Sequence, residues 1–282
     1  MELIPARKKD AALLEEIEAF SVDHSSVYVW WLGQSGFLVL WKGHRLLLDP
    51  YLSDSLTRKY AATPKPHIRM SERVMDPSLL SNLTLITSSH NHTDHLDADT
   101  LCPILENNPS AALVIPEANR RFVAERLACP IDFPLGLDGG RQERIGPFTI
   151  TGVAASHNEL TVDEHGRNVY LGYVIQMGGF TIYHSGDCLL YEGLAETLRP
   201  FSIDLALLPI NGNDPARGVA GNFSAEEAAA LAKEIHAGCV IPCHYHMFTF
   251  NTVDPDAFID ACYRLGQPFS VLMQGGYWQH TL

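Results

Sequence analysis

The chain lacks long hydrophobic runs and paired cysteine motifs. Its 282 residues contain no stretch that approaches the roughly 20 apolar residues of a membrane span, and residues 1–10 lack the apolar core of a signal peptide. The six cysteines are scattered through apolar contexts without CxxC spacing, which argues against a disulfide framework. We therefore expect a cytoplasmic protein with reduced thiols and no membrane partner.

Basic residues are also scarce. The chain has 20 lysines and arginines against 33 aspartates and glutamates, which gives a formal charge of −13. Such a surface repels nucleic acid and anionic membranes at long range, so we expect a small-molecule substrate and no nucleic-acid partner. No low-complexity linker divides the chain, which favours a single domain over residues 1–282. The sequence leaves the oligomeric state open, and a homo-oligomer is common among soluble enzymes.

Hydrophobic periodicity predicts a β-rich chain punctuated by helices. Helical spacing between residues 7 and 20 predicts an amphipathic helix within an N-terminal extension, residues 1–22. Short apolar runs separated by glycines predict a β-meander over residues 27–48. Two sheets stacked between outer helices fit the later order better than a barrel or a doubly wound parallel sheet. The later strands are predicted at 83–87, 111–115, 148–155, 169–177, 180–184, 204–209, 239–243 and 269–273, and the later helices at 99–106, 118–127, 225–236 and 255–265.

Four potential metal ligands follow the predicted strand 83–87 within six residues: His90, His92, Asp94 and His95. Alternate side chains of an extended backbone point the same way, so His90 and His92 can converge on one ion. The turn that follows presents Asp94 and His95 to a second ion. A chain with 13 histidines contains some close pairs by chance, but this combination at a strand end favours metal binding over a structural cluster.

Three later ligand-type residues also stand at the ends of predicted strands. They are His157, Asp187 and His244. His246 is an alternative to His244, because a residue two positions further along an extended chain points the same way. The strand end favours His244.

With these residues in this order, the chain resembles the metallo-β-lactamase superfamily, whose HxHxDH motif is followed by a lone histidine, a bridging aspartate and a final histidine. The resemblance implies an α/β (α+β) fold, a four-layer αββα sandwich. It also implies two divalent metal ions, and the ligand types leave zinc and manganese open. Taken residue by residue, the resemblance assigns His90, His92 and His157 to the first metal. It assigns Asp94, His95 and His244 to the second metal, and Asp187 as a carboxylate that bridges both.

Within that superfamily, the chain is most similar to the L-ascorbate-6-phosphate lactonase-like metal-dependent hydrolases. This resemblance implies an enzyme that opens a lactone, such as that of a phosphorylated sugar acid. Members of a superfamily share a scaffold while their substrates differ. The segments that carry the resemblance are WLGQSGF at 31–37, DPYLSD at 49–54, HSGD at 184–187, PINGND at 209–214 with Arg217, and GNF at 221–223.

The ligand set predicts hydrolysis by a metal-activated hydroxide. Two divalent ions lower the pKa of a shared water towards neutrality. The hydroxide would attack an ester or lactone carbonyl, and one metal would hold the developing oxyanion. Asp94 or a metal-bound water could return a proton to the leaving alcohol, and the resemblance places Asp187 between the ions. Cys188 needs a neighbouring base to act as a nucleophile, so we interpret it as a packing residue. The alternatives are a phosphodiesterase of the same fold and a non-catalytic binding protein that retains the fold.

Candidate substrate contacts are spread over several segments. His184 and His246 lie near predicted ligands, and Asn222 belongs to a segment shared with the lactonase-like group. Arg217 is a candidate to hold a phosphate or carboxylate. So are basic residues of the irregular segment 49–77, which we expect to border the active site, although His67 itself is predicted to be structural or solvated. The basic residues of this segment are Arg58, Lys59, Lys65, His67, Arg69 and Arg73.

Overall fold

The computed structural model describes residues 2–282, which form two mixed β-sheets and seven α-helices. The helices are α1 (Asp10–Phe20), α2 (Ser55–Tyr60), α3 (Ala98–Asn107), α4 (Arg120–Leu127), α5 (Leu194–Leu198), α6 (Ala225–Glu234) and α7 (Asp256–Leu265). The strands are β1 (Ser26–Gly33), β2 (Gly36–Trp41), β3 (His44–Leu48), β4 (Leu83–Thr87), β5 (Ala112–Pro116), β6 (Leu135–Leu137), β7 (Gln142–Ile145), β8 (Phe148–Ala154), β9 (Leu171–Met177), β10 (Phe180–His184), β11 (Leu205–Pro209), β12 (Cys239–Cys243) and β13 (Tyr277–Thr281).

The first sheet has the strand order β13-β1-β2-β3-β4-β5-β6, and the second has the order β12-β11-β10-β9-β8-β7. Pairing in the first sheet is antiparallel from β13 to β3 and parallel from β3 to β6. In the second sheet, β10, β11 and β12 run parallel and the remaining pairs are antiparallel. The parallel strands of both sheets therefore deliver their C-terminal ends to one edge of the molecule.

The two faces of the first sheet are buried against different layers. Because successive side chains of a strand alternate between faces, Val29 and Trp31 of β1 enter the core between the sheets, whereas Tyr28 and Trp30 pack beneath α1, α3 and α4. Helix α6 covers β11 and β12 on the far side of the second sheet and packs against α7. This arrangement is the predicted four-layer αββα sandwich, and the fold class is confirmed. No helix within residues 2–282 has both the length and the apolar character needed to cross a membrane.

The predicted final strand at 269–273 is wrong. Phe269 forms only a single bridge with Val240, after which the chain turns through Gly275 and pairs β13 with the edge of the first sheet. The carbonyl oxygen of Leu272 accepts a hydrogen bond from the Tyr245 hydroxyl at 2.7 Å instead of a ladder bond. The sequence pattern also missed α2, α5, β6 and β7, which are short; β7 is mostly exposed, so it lacks the apolar alternation of a half-buried strand.

A buried carboxylate holds α1 against the first sheet. The side chain of Glu16 is 5% exposed and lies 2.8 Å from Nη1 of Arg7 and 2.7 Å from Nζ of Lys8. It also accepts a hydrogen bond from Nε1 of Trp30 at 3.1 Å. Burial by itself would raise the pKa of Glu16, but the three donors outweigh burial and lower the pKa to about 2.

Replacing Glu16 with Gln should destabilise the protein at pH 7 by about 2 kcal/mol, because two cations lose a charged partner while the side-chain volume is kept. The folded-state pKa of about 2 lies below the ordinary value of 4.5. The ionic contribution is therefore present above about pH 4.5 and is lost as the pH falls towards 2. Urea unfolding of both proteins between pH 7 and pH 3 measures the difference, which should shrink by more than half. Glu15→Gln, at an exposed neighbouring position, is the control and should leave stability nearly unchanged; a pH-independent difference for Glu16→Gln would contradict the assignment.

Candidate metal centre

The seven predicted metal ligands converge at the edge where the strands of both sheets end. They lie in the segments that directly follow β4, β8, β10 and β12. Three overlapping groups have ligand atoms within 4.8 Å of one another. These groups are His90, His92 and His157; His90, His95 and Asp187; and Asp94, His95 and His244.

Asp187 lies between the histidines of the different groups. Its Oδ1 is 3.3 Å from Nε2 of His95, whereas its Oδ2 is 3.5 Å from Nε2 of His244 and 3.8 Å from Nε2 of His157. The second carboxylate, that of Asp94, has Oδ2 3.6 Å from Nε2 of His244. The two oxygens of Asp187 thus lie near three different imidazole rings.

Several ligand-type atoms of the cluster are buried without a partner. Within residues 2–282, Nε2 of His90, Nε2 of His95 and Oδ1 of Asp187 accept or donate no hydrogen bond. A buried polar atom without a partner costs about 1–3 kcal/mol. A cation that takes up their lone pairs removes this cost, and the mixture of imidazole nitrogens and carboxylate oxygens suits a divalent transition metal. The residues therefore fit a metal centre.

The histidines of the cluster fall into two electrostatic classes. Burial lowers the pKa of His90 well below its ordinary value and that of His157 to about 4, so both rings are neutral. Burial also opposes protonation of His95 and His244, but the carboxylate of Asp187 outweighs it. The pKa of His95 is raised well above its ordinary value, and that of His244 is raised to about 9. Metal binding at these two rings must displace protons.

Asp49 fixes the orientation of His95 from behind. At the end of β3, its Oδ2 accepts a hydrogen bond from Nδ1 of His95 at 2.7 Å. Its Oδ1 accepts from the Ser89 amide and from the Thr87 hydroxyl, both at 3.0 Å. With Nδ1 occupied, Nε2 of His95 faces the cluster, as in the carboxylate–histidine–metal arrangement of many metal sites. The sequence interpretation did not single out Asp49, although a lone carboxylate directly after the apolar run at 46–48 was a signal.

Gln34 and a backbone carbonyl orient other members of the cluster. Nε2 of Gln34 donates to Oδ2 of Asp94 at 2.8 Å and lies 3.0 Å from Nε2 of His244. Nδ1 of His157 donates to the carbonyl oxygen of Gly221 at 3.0 Å. Gln34 has a positive φ of 50° in the turn between β1 and β2, and this turn brings its amide under the cluster. Its role depends on contacts with residues far along the chain.

A cleft of about 460 Å³ opens above the cluster. Its floor contains the cluster and Gln34, and its walls come from the segment after β3, from α4 and from the loops around 219 and 248. Residues of the segment 49–77 line one wall, as the sequence predicted: Leu56, Lys59, Tyr60, Lys65 and His67. His67, which we predicted to be structural or solvated, is half-buried in this wall and stacks on Tyr60, which is a structural position.

The structure does not place His184 or Asn222 in the lining of the cleft. His184 is 1% exposed, and its Nε2 donates to the carbonyl oxygen of Ser35 at 2.9 Å. Asn222 is buried and donates to Oδ1 of Asn211 at 2.9 Å. Both side chains hold loops beneath the site, so neither faces the cleft, and their predicted contact with substrate stays a prediction.

Arg217 and His246 are also outside the lining of the cleft. Nη2 of Arg217 donates to the carbonyl oxygen of Asn211 at 2.8 Å, which uses the guanidinium to hold its own loop. Nε2 of His246 lies 2.6 Å from Oδ1 of Asp254, in a second cavity behind the cluster. The position of His246 therefore supports neither of its predicted roles. It does not replace His244 among the ligand-type residues, and it does not face the cleft as a substrate contact would. The physical reason is local: the backbone at both positions 244 and 246 has positive φ, so the alternation of an extended strand does not apply.

Cys188 is a packing residue in the structure. It is fully buried beside Asp187, and its Sγ donates to the carbonyl oxygen of Leu189 at 3.2 Å. Burial raises the pKa of this thiol to about 12. A neutral, enclosed thiol has no nucleophilic role, which agrees with the sequence interpretation.

The chain is similar to proteins from several prokaryotes. It is 27% identical over 231 residues to a UPF0173 metal-dependent hydrolase of Caldivirga maquilingensis, covering 82% of this chain and 87% of that one. It is 27% identical over 257 residues to another of Hyperthermus butylicus, covering 89% and 99%. Among solved structures, an isothiocyanate hydrolase from Delia radicum gut bacteria shares the fold with a TM-score of 0.71 at 16% identity, covering 90% of this chain and 99% of that one.

The sandwich and its histidine-rich edge define a protein of the metallo-β-lactamase fold with a candidate metal centre. A family model of the beta-lactamase superfamily domain matches residues 28–244. The chain therefore belongs to the metallo-β-lactamase superfamily, as the order of its ligand-type residues indicated.

Replacing Asp49 with Asn should lower metal affinity about 10- to 100-fold, because the substitution removes the carboxylate that orients His95. Competition with a chromogenic chelator measures the affinity, and circular dichroism checks the fold. The control is Asp132→Asn, at an exposed position far along the chain, which should bind metal like the wild type. Unchanged affinity in a folded Asp49→Asn protein would show that this hydrogen bond does not support the metal site.

Proposed function

We propose that the chain is a hydrolase with two divalent metal ions, zinc or manganese, that opens a lactone or related ester of a small anionic molecule. Two lines support the metal-dependent part: the relatives that it matches are described as metal-dependent hydrolases, and the described side chains fit a metal centre. The lactone of a phosphorylated sugar acid, such as L-ascorbate 6-phosphate, is the substrate that the sequence resemblance suggests.

The observation that carries the two-metal part is the position of Asp187. Its Oδ1 faces His95 and its Oδ2 faces His244 and His157, at 3.3 to 3.8 Å. The carboxylate thus lies close to His157 of one proposed ligand group and to His95 and His244 of the other, a position suited to bridging two ions. On this proposal, His90, His92 and His157 hold one ion, Asp94, His95 and His244 hold the other, and Asp187 serves both.

Bound ions of this kind would supply a hydroxide at neutral pH and polarise the carbonyl group. The residues of the chain do the rest. The Asp94 side chain is 15% exposed at the cleft, and Gln34 holds its carboxylate. Burial opposes ionisation of Asp94, yet His95 outweighs burial and keeps its pKa below the ordinary value. Asp94 is therefore ionised, and on this proposal it relays to the leaving oxygen a proton of the attacking water, whose own pKa the bound ions would lower.

The reaction consumes one water for each ring opened. The water oxygen forms a bond to the carbonyl carbon, the bond from that carbon to the ring oxygen breaks, and the ring oxygen takes the proton that Asp94 carries. The product is a hydroxy acid, which at neutral pH releases its carboxyl proton to water and then has one more negative charge than the lactone. The burial of His90, His95 and Asp187 keeps bulk water away from one side of the reacting bond.

Stripping the protein of metal and reloading it separately with zinc and manganese tests the proposal. We expect two ions per chain by mass spectrometry and metal-dependent opening of sugar-acid phosphate lactones or simple lactones. Phosphodiesters offered beside them test the alternative bond. Phosphodiester cleavage without lactone opening would replace the lactonase assignment, and inactivity of the fully loaded protein towards all three classes would favour a binding protein.

Replacing Asp187 with Asn should lower the second-order rate constant for lactone opening about 100-fold or more, since loss of a ligand exceeds the usual effect of an outer partner. Metal content should fall from two ions per chain to one or none. Asp256→Asn, which replaces an exposed carboxylate, is the control and should change neither the rate constant nor the metal content. Two tightly bound ions in a folded, inactive Asp187→Asn protein would separate the catalytic role of Asp187 from bridging.

A further inference from the structure

One wall of the cleft is built from stacked rings. The ring centroids of Tyr60 and His67 are 4.4 Å apart with the planes at 26°. His67 in turn meets the rings of Phe248 and Phe250 at 5.3 and 5.2 Å. All four rings line the cleft above the candidate metal centre, so they border the space that a substrate must occupy.

This wall is held in place by a hydrophobic cluster of its own. Tyr51, Leu56, Met247 and Phe248 form a buried group separate from the two large cores, and Tyr60 packs against it. The backbone of Arg69 bridges that of Phe248, which joins the wall segment to the loop after β12. A wall with its own buried support is preorganised, so it can bind a flat surface without first ordering its rings.

The wall offers little to a polyhydroxylated molecule. The side chains of Leu56, Phe248 and Phe250 carry no polar atom. The polar atoms of the wall are the Tyr60 hydroxyl and the two ring nitrogens of His67, of which Nδ1 is 2.9 Å from the carbonyl oxygen of Lys65. Hydroxyl groups buried against these surfaces would lose their water without gaining hydrogen bonds, which is unfavourable. A planar apolar ring gains both burial and ring-to-ring contact there. The wall therefore favours an apolar ring over a sugar ring.

Three cations line the cleft beside the carboxylates of Asp94 and Asp187, and none of the three is paired with a carboxylate of the described residues. Among residues 2–282, no carboxylate oxygen lies within 4.0 Å of Lys59, Lys65 or Arg126, all of which line the cleft. Lys65 donates to the carbonyl oxygen of Gly218 at 2.7 Å, and Arg126 donates to that of Asn91 at 2.7 Å, so both support loops. Lys59 has only a long contact, 3.4 Å from its Nζ to Oγ1 of Thr93. Its ammonium group is the least committed cation in the cleft.

Lys59 stands between the ring wall and the candidate metal centre. Thr93 is the residue between His92 and Asp94, and Nζ of Lys59 also lies 5.1 Å from the centroid of the Tyr60 ring. An anion paired with this ammonium group would hold an attached ring against Tyr60 and His67. Arg58, the preceding residue, is instead paired with Asp99 and is not part of the lining.

We propose that the substrate carries a planar apolar ring and a carboxylate or phosphate, with the ring packed against Tyr60, His67 and Phe250 and the anion paired with Lys59. The proposal rests on the proposed function for the ester or lactone bond alone, and it replaces the phosphorylated sugar acid with an anionic apolar ring as the substrate class. It identifies Lys59 as a specificity-determining residue, in place of the predicted Arg217.

Binding of three small probes to the zinc-loaded protein tests the proposal without turnover. Benzoate has both the ring and the anion, benzamide has the ring without the charge, and shikimate has the anion on a polyhydroxylated ring. Titration calorimetry should show benzoate binding roughly tenfold more tightly than either of the others, the size expected for one charge-assisted contact. Equal affinity for benzoate and benzamide would overturn the anion part, and equal affinity for benzoate and shikimate would overturn the ring part.

Two variants assign the preferences to residues. Lys59→Met keeps the aliphatic stem and should remove the roughly tenfold preference for benzoate over benzamide, whereas the adjacent Arg58→Met should retain it. Phe250→Ala should weaken benzoate and benzamide together and leave shikimate unchanged. If the Lys59→Met protein still prefers benzoate over benzamide, the carboxylate binds the metal and the proposal is overturned. Absence of benzoate binding to the wild type at about 10 mM would also overturn it.

Hydrolysis of matched esters separates this proposal from the proposed function. The second-order rate constant for 4-acetoxybenzoate should exceed that for 4-acetoxybenzamide about tenfold in the wild type and equal it in Lys59→Met. If neither ester nor any lactone is hydrolysed while benzoate binds as expected, the proposed function fails and the binding preference stands. If lactones open without regard to charge or ring, the proposed function stands and this inference fails.

Discussion

The carboxylate of Asp187 lies at the place where the ends of both sheets meet, with three imidazole rings within 3.8 Å of its oxygens. Charged and polar groups that are buried so densely are stable only when they are paired. Within the described residues, His95 and His244 act as cations towards the carboxylates, while buried atoms of His90 and Asp187 remain unpaired. A divalent ion can balance the carboxylate charge in place of the protonated histidines, and it can also bind the unpaired buried atoms. The other residues at this edge of the sheets orient the side chains that would bind such an ion.

The fold serves the cluster by delivering strand ends to one edge and by supporting them from outside. In the first sheet, β4 lies between two parallel neighbours. In the second sheet, β10 and β12 each pair in parallel with β11. The loops that follow β4, β10 and β12 therefore start from rigid positions. Asp49 then fixes His95, Gln34 fixes Asp94, and the Gly221 carbonyl fixes His157. Ligand-type residues on irregular loops are thereby held as precisely as residues within strands.

The sequence predicted those features of the molecule that depend on short stretches of the chain. The αββα fold class follows from strand and helix periodicity together with the superfamily resemblance, and the ligand positions follow from polar residues directly after apolar strands. Asp49 and Gln34 were not identified, because their importance depends on partners 46 and 60 positions away along the chain. The predicted substrate contacts stay predictions, although the structure places the residues concerned outside the lining of the cleft for a related reason. Proximity in sequence to a ligand placed His246 and His184 beside the site, but a positive φ at His246 and the burial of His184 turn both away from the cleft.

The floor of the cleft, with the candidate metal centre, and the ring wall are formed by different parts of the chain. The floor of the cleft uses strand ends that belong to the superfamily, whereas the ring wall uses the segment around α2 and the loop after β12, which have a separate buried cluster. A resemblance based on ligands therefore predicts the floor and leaves the wall open. The charge distribution points the same way. In a chain with a formal charge of −13, lysines and an arginine that are not paired with a carboxylate among residues 2–282 stand at the cleft. These cations stand beside the carboxylates of Asp94 and Asp187, so the lining of the cleft carries charge of both signs.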